Sequence, residues 1–147
     1  MRGLVTVLAN GVFDILHVGH VQHLIEAAAM GDRLVVSLTL DSMVNKGPGR
    51  PLYPWQDRAQ VLRALKCVDF VFPTRSAIDA IRSIRPRIFV KGTDYSGRDK
   101  WTEEIEAVCK EVGAELRFTH SPKQSVTEVI RRTMAIEETG TWATPSK

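Results

Sequence analysis

Two histidines three positions apart carry the most specific chemistry in this sequence. His17 and His20 flank Gly19 in the stretch GVFDILHVGH, which follows a short apolar run. Residues three apart share one face of a helix, so the two imidazoles would point the same way. Taken alone, such a pair could pack in a core, bind a metal ion or hold phosphate oxygens.

A zinc site is disfavoured, because too few candidate ligands lie near the two histidines. Zinc takes three or four ligands from proteins, and His23 is the one further histidine near the pair, almost another turn round a helix. Cys67 and Cys109 have no partner at ligand spacing. We therefore expect no metal-ligand set made by the protein, and two cysteines packed in or near the core.

A phosphate suits these two histidines better, because the mouth of a helix offers free backbone N–H groups and a partial positive charge. Gly19 leaves room for a phosphate to approach the backbone. Imidazoles placed there can donate hydrogen bonds as negative charge develops, which is the main requirement of phosphoryl-type transfer. A GxGxxG fingerprint is absent, which weighs against a nicotinamide enzyme.

The elements that must position these groups alternate between strand and helix. The predicted strands are 4–10, 33–40, 67–72, 87–91 and 114–119, and the predicted helices are 17–30, 55–66, 76–84, 102–112 and 126–137. The strands are continuous apolar runs, which is typical of a sheet covered by helices on both faces. The pattern predicts one α/β domain, a doubly wound parallel five-stranded sheet over residues 1–138, with a loose tail at 139–147.

The loops that follow the strands are the places to look for a ligand, because ligands of such sheets bind at the carboxyl ends of the strands. Lys46 precedes a Gly-Pro-Gly turn in the second of these loops, and Lys91 closes the fourth strand. Ser125 and Glu128 have the spacing of a capping box at the last helix, which is compatible with phosphate binding there.

Four motifs in order resemble the HxGH nucleotidyltransferase superfamily, the cytidylyl- and adenylyltransferases. They are GVFDILHVGH, NKGPGRPLYP with a downstream arginine, VKGTDY and KQSVTEVI, and they run from about residue 5 to about residue 132. The pattern is most similar to the D-glycero-D-manno-heptose 1-phosphate adenylyltransferase branch. Glycerol-3-phosphate cytidylyltransferase is the next most similar branch. The resemblance implies a Rossmann-like nucleotidyltransferase fold.

The resemblance implies a role for each matching position. His17, His20 and Lys46 would be the catalytic residues, which contact and neutralise the triphosphate. The nucleotide-binding residues would be Gly11, Phe13, Asp14, Gly19, Lys91, Gly92, Asp94, Ser125 and Thr127. Asp41, Arg50 and Arg58 are weaker candidates for substrate contact. For Arg58, on a helix whose other face is core, a surface ion pair is an equal alternative.

This sequence departs from the family pattern in three segments. The family's paired threonines appear here as Val126-Thr127, so one hydroxyl is missing. PTRSAID stands where the heptose branch tends to carry an acidic segment ending in Asp-Thr-Pro, and SGRDKW is individual to this chain. The general reaction is therefore better determined than its acceptor.

The activity that the resemblance implies is nucleotidyl transfer with Mg²⁺ accompanying the nucleoside triphosphate. ATP with a heptose 1-phosphate, giving ADP-heptose and pyrophosphate, is the first interpretation. CTP with glycerol 3-phosphate or a similar phospho-alcohol is the second. A non-catalytic nucleotide-binding module is the alternative of another class.

Composition adds expectations about partners and location. The net charge is +3 without a run of five basic residues, which fits an anionic small molecule better than nucleic acid. A slightly basic, solvated surface would give the same net charge, so the positions of the charges must decide. No apolar run reaches the ~18 residues that span a bilayer, and no signal-peptide pattern is present, so a cytoplasmic protein without membrane contact is expected. The family resemblance suggests a homodimer.

Overall fold

The computed structural model describes residues 3–92, 100–120 and 126–140. Five strands and five helices alternate along these ranges: β1 Thr6–Gly11, α1 Val18–Ala28, β2 Arg33–Thr39, α2 Trp55–Arg63, β3 Phe70–Thr74, α3 Ala77–Ile84, β4 Ile88–Lys91, α4 Lys100–Val112, β5 Glu115–Phe118 and α5 Val126–Thr139. A short 3₁₀ helix, Asp41–Met43, follows β2. The predicted alternation of strand and helix is confirmed.

The sheet is parallel throughout, with the strand order β3-β2-β1-β4-β5. Strand β1 lies in the centre, with Val7 opposite Leu34 of β2 on one side and opposite Ile88 of β4 on the other. The winding reverses between β1 and β4, and the loops that follow these two strands therefore diverge. Such a switch point is where open α/β sheets bind their ligands.

Each face of the sheet has its own hydrophobic cluster. Helices α1 and α2 pack Leu24 and Leu62 against one face, together with Val7 of β1. Helices α3 and α4 pack Ile81 and Ile105 against the other face, together with Leu8. Successive residues of one strand thus belong to opposite clusters, which is why the strands are apolar without alternation.

The third strand lies further along the chain than predicted. The sequence predicts 67–72, whereas β3 is Phe70–Thr74. Cys67 and Val68 pack against the cluster beside α1 and α2 from the turn that follows α2, so they are apolar for reasons of packing. Strand β3 is an edge strand that buries Val71 but leaves Phe70 and Phe72 exposed.

Two smaller expectations concern the ends of helices and the cysteines. The last helix ends at Thr139 instead of 137, and residues 141–147 of the predicted tail lie outside the described ranges. Cys109 is buried and Cys67 half-buried, both with free thiols, as expected. Within the described ranges, no helix is both long and apolar enough to cross a membrane.

Candidate active site

Helix α1 begins with a cap that two histidines build for each other. The Nδ1 atom of His17 accepts the backbone N–H of Gly19 at 3.1 Å, and the Nδ1 atom of His20 accepts the backbone N–H of His17 at 3.2 Å. This is the reciprocal arrangement of a capping box, with imidazoles in place of the usual Ser or Thr and Glu or Gln. Both ring orientations are therefore fixed by the start of the helix.

The cap also determines where each ring carries its hydrogen. A neutral imidazole has one nitrogen that donates and one that accepts, and both Nδ1 atoms accept. The geometry therefore assigns the N–H of His17 and of His20 to Nε2. The two rings stack with their centroids 3.8 Å apart, and the ring of Phe13 meets His20 edge-on at 5.3 Å.

His20 is a neutral donor near pH 7. Its pKa is lowered from 6.5 to about 4, mainly by burial, with smaller contributions from the charges of His17, Lys46 and His23. The contribution of Lys46 means that its ammonium, in the loop that follows β2, acts electrostatically on His20, at the end of the loop that follows β1. Of the three predicted catalytic residues, His17 and Lys46 thus lie close enough to His20 to lower its pKa.

Lys91 lies on the other side of the switch point, at the end of β4. It is buried, and its Nζ atom lies 3.3 Å from the centroid of the Trp101 ring. The backbone carbonyl of Lys91 accepts the N–H of Thr119 at 2.9 Å, and the Thr119 hydroxyl lies 2.7 Å from Nδ1 of His23. Helix α1 is thereby connected to the ends of β4 and β5.

Asp14, a predicted nucleotide-binding residue, is occupied by the protein itself. Its side chain is fully buried and accepts the backbone N–H groups of Leu52 at 2.6 Å and Tyr53 at 3.1 Å. It also pairs with Nε of Arg50 at 3.1 Å, and the same guanidinium donates to the Asp14 carbonyl. Asp14 and Arg50 therefore hold the second loop against the first.

Arg58 forms the ion pair that was the alternative to substrate contact, but its own side chain is buried and does not lie at the surface. Its guanidinium donates to the carbonyls of Val12 at 2.8 Å, Tyr53 at 2.9 Å and Thr39 at 3.0 Å. It also pairs with the carboxylate of Asp41 at 2.5 Å. Because carbonyls from three segments meet on one guanidinium, Arg58 fixes the first loop, the end of β2 and the start of α2 relative to one another.

Gly11 and Phe13 shape the wall behind His20. Phe13 has a left-handed backbone with φ 49°, and its ring is buried over Gly11. A Cβ atom at Gly11 would lie 2.8 Å from Cε2 of that ring, so only glycine leaves the ring its place. A Cβ at Gly92, by contrast, would meet no atom of the described residues within 4 Å.

Some predicted residues cannot be placed in this way. Asp94, Ser125 and the side chain of Thr127 lie outside the described residues. Gly19 is buried in the first turn of α1. In the part of the chain that is described, no group of three His, Cys, Asp or Glu side chains could hold a metal ion.

Sequence reasoning misses the contacts that connect distant segments. The bridge between His23 and Thr119 spans 96 positions, and nothing at either residue indicates the other. The position of the Trp101 ring over Lys91 has no local signal either.

A cavity of about 600 Å³ opens beside α2 and is lined by Phe13, Leu16, Tyr53 and Val61 among others. Its lining does not include His17, His20 or Lys46.

A family model and several known proteins are similar to this chain in sequence. A family model described as cytidylyltransferase-like matches residues 8–137. The bifunctional protein HldE of Syntrophotalea carbinolica is 46% identical over 99 residues, which are 65% of this chain and 20% of that protein. The bifunctional protein HldE of a Nitratiruptor species is 38% identical over 136 residues, or 89% of this chain and 28% of that protein. The chain therefore spans between about a fifth and somewhat more than a quarter of the length of these relatives.

Two solved structures share the fold. The lipopolysaccharide core biosynthesis protein from Thermoplasma volcanium GSS1 matches with a TM-score of 0.70 and 26% identity, over 82% of this chain and 100% of that one. Pantoate-beta-alanine ligase from Francisella tularensis, complexed with beta-gamma ATP and beta-alanine, matches with a TM-score of 0.60. At 16% identity, over 84% of this chain and 62% of that one, the second likeness concerns the fold alone.

Proposed function

Because this chain belongs to the cytidylyltransferase-like family, we propose that it transfers a nucleoside monophosphate from a nucleoside triphosphate to a small phosphorylated acceptor. The observation that carries the proposal is the histidine cap of α1. It places two Nε2–H donors, from His17 and His20, at a helix N-terminus directly after the central strand β1. A triphosphate is the ligand that such a collection of neutral donors and helix dipole suits best.

The reaction proposed needs no nucleophile from the protein. An oxygen of the acceptor's phosphate attacks the α-phosphorus, the bond from that phosphorus to the bridging oxygen breaks, and pyrophosphate leaves. The protein contributes position and charge stabilisation. His17 and His20 donate to the phosphoryl oxygens as charge develops, and Lys46 neutralises the triphosphate from the second loop.

Mg²⁺ enters this proposal as part of the substrate. Mg²⁺ prefers a few carboxylates together with substrate phosphates and water. Asp14, the carboxylate nearest to the histidine motif in sequence, is occupied by Arg50 and two backbone N–H groups. Among the described residues, no group of three or more His, Cys, Asp or Glu side chains could hold a metal ion. In this proposal the triphosphate and water hold Mg²⁺, which would neutralise phosphate charge.

For the substrates we propose ATP and a heptose 1-phosphate, giving ADP-heptose. Support comes from the similarity of the four motifs to the heptose branch and from the relatives named HldE. The Thermoplasma protein, which is named for lipopolysaccharide core biosynthesis, agrees with a sugar acceptor. Asp94, Ser125 and Thr127 remain proposed nucleotide contacts by their position in the motifs.

The test is pyrophosphate release with each of four nucleoside triphosphates against a panel of sugar 1-phosphates and polyol phosphates, with the product identified by mass. We expect the highest kcat/KM with ATP and heptose 1-phosphate. Release only with CTP and glycerol 3-phosphate would overturn the substrate proposal and keep the reaction. No release with any pair would overturn the reaction in favour of a nucleotide-binding module.

Lys46→Ala tests the second loop in the same assay. The variant should raise the KM for the triphosphate, because a cation near the phosphates is lost. Lys110→Ala removes an exposed lysine of α4 and is the matched control, for which unchanged kinetics are expected. Equal triphosphate kinetics in the two variants would remove Lys46 from the site.

A further inference from the structure

The ammonium of Lys91 lies over the indole ring of Trp101. The distance from Nζ to the ring centroid is 3.3 Å, well inside the ~6 Å within which a cation and an aromatic face attract each other. The two residues belong to different elements, since Lys91 ends β4 and Trp101 is the second residue of α4. Their contact therefore joins the sheet to the helix that follows it.

The exposure of the two side chains shows what the contact does. Lys91 is 7% exposed, and an ammonium removed from water needs an interaction that compensates for its lost hydration. Trp101 is 46% exposed, so its ring is not packed as a core residue. One face of the indole covers the ammonium, and much of the remaining ring surface faces solvent.

The backbone of Lys91 is already rigid. Strand β4 pairs with β1 and β5, with Lys91 opposite Phe118, and the Lys91 carbonyl accepts the N–H of Thr119. The stem of a lysine, in contrast, has rotamer freedom that is among the largest of any side chain. The Trp101 ring, whose centroid lies 3.3 Å from Nζ of Lys91, restricts the positions that this ammonium can take.

We propose that Trp101 is a positioning residue for Lys91, which holds the ammonium at the switch point in readiness for a phosphate of the nucleotide. This inference rests on the proposed function for the identity of the ligand. The indole acts through Lys91 and does not itself contact the reacting atoms. The affinity for the ligand increases, because the lysine side chain is already ordered before the phosphate binds and loses less conformational entropy on binding.

The first test needs no substrate. Trace acetylation of the ligand-free protein, followed by peptide mass spectrometry, measures how fast each lysine reacts. Trp101→Leu should speed the labelling of Lys91 several-fold, while Trp101→Phe, which keeps an aromatic face, should speed it much less. Lys110 serves as the internal reference. Equal rates for Lys91 in the wild-type protein and the Leu variant would overturn the proposal.

The second test separates positioning from mere stability. Trp101→Leu should raise the KM for the triphosphate roughly fivefold, the scale of one cation–π contact, and leave kcat within twofold. In a Lys91→Met background the same Trp101→Leu change should have no further effect. A KM increase of similar size in that background would show that Trp101 does not act through Lys91, and would overturn the proposal.

The two tests also separate this inference from the proposed function. Absence of turnover in the wild-type protein with every pair of substrates overturns the proposed function. The labelling rates test the contact between Trp101 and Lys91 in the ligand-free protein, so they give a result even when no substrate pair is turned over.

Discussion

His17 and His20 cap the helix on which they would bind phosphate, since the Nδ1 atom of each accepts a backbone N–H of the first turn, at 3.1 and 3.2 Å. In each ring, Nδ1 stabilises the start of the helix, and Nε2 is the atom proposed to donate a hydrogen bond to phosphate. Replacement by alanine removes both functions at once, so an informative variant keeps the Nδ1 function and removes Nε2.

His17→Asn and His20→Gln are such variants. Asn is a good N-cap residue, and Gln at the third helical position can reach back to the N-cap N–H. Both proteins should keep the stability of the wild type, while kcat falls ~10²-fold or more because a preorganised donor to the transition state is lost. Urea unfolding and pyrophosphate release measure the two properties separately.

His17→Ala completes the set. It should lose about 1 kcal/mol of unfolding free energy in addition to turnover, because the cap is lost. If His17→Asn kept near-normal turnover, Nε2 of His17 would have no catalytic part.

Stability should fall when the pH is lowered from 6.5 towards 4. Burial lowers the pKa of His20 from 6.5 to about 4, so in this range the unfolded chain binds a proton that the folded chain excludes. The contribution is fully present above pH 6.5 and is lost as His20 is forced to protonate. Burial also lowers the pKa of His23, so part of the loss is shared.

The His20→Gln protein isolates the share of His20. Its unfolding free energy, measured in urea at pH 7 and pH 5, should decrease less than that of the wild type. Identical decreases in the two proteins would contradict the assignment of a buried, neutral His20.

Removing Asp14 should destabilise the protein by about 3 kcal/mol, because Arg50 and two backbone N–H groups lose a buried acceptor. Asp14→Ala is compared with Arg82→Gln, which breaks an exposed ion pair with Glu111. The control should leave the unfolding free energy unchanged. Equal, small effects of both changes in urea unfolding would refute the role of Asp14 as an anchor of the second loop.

Gly11→Ala should destabilise the protein by about 1–3 kcal/mol, since its Cβ would lie 2.8 Å from the Phe13 ring. Because that ring meets His20 edge-on, turnover should fall as well. Gly92→Ala is the matched control, because its Cβ would meet none of the residues that the structure describes, and its thermal midpoint should stay that of the wild type. A higher KM for the triphosphate in Gly92→Ala would then indicate close approach of the ligand at Gly92.

The architecture was predictable because apolar runs and helix-breaking residues report local structure. Where an apolar residue serves packing outside a strand, the signal misleads. Val68 belongs to a buried turn and not to β3, while the strand residues Phe70 and Phe72 are exposed on an edge. No local pattern separates a buried turn from the start of a strand.

The sequence indicates the loops and motifs in which the candidate site residues lie, but it does not indicate what each charged side chain contacts. Asp14 and Arg58 look in the sequence like ligand-binding groups. Their partners lie 36 to 39 positions away for Asp14 and up to 46 positions away for Arg58. Whether a charge faces a ligand or its own chain is decided by such distant contacts, which composition and spacing do not contain.

The strand order has a consequence for synthesis on the ribosome. The three neighbouring strands β3, β2 and β1 all lie before residue 75, with the helices α1 and α2 that cover one face. A nascent chain synthesised as far as residue 75 already contains His17, His20 and Lys46, but β1 has an open edge, where β4 will pair. It also exposes Leu8 and Val35, against which α3 and α4 later pack. The growing polypeptide therefore passes through a stage in which the three residues proposed to contact the triphosphate are present, while one apolar face of the sheet is not yet covered by α3 and α4.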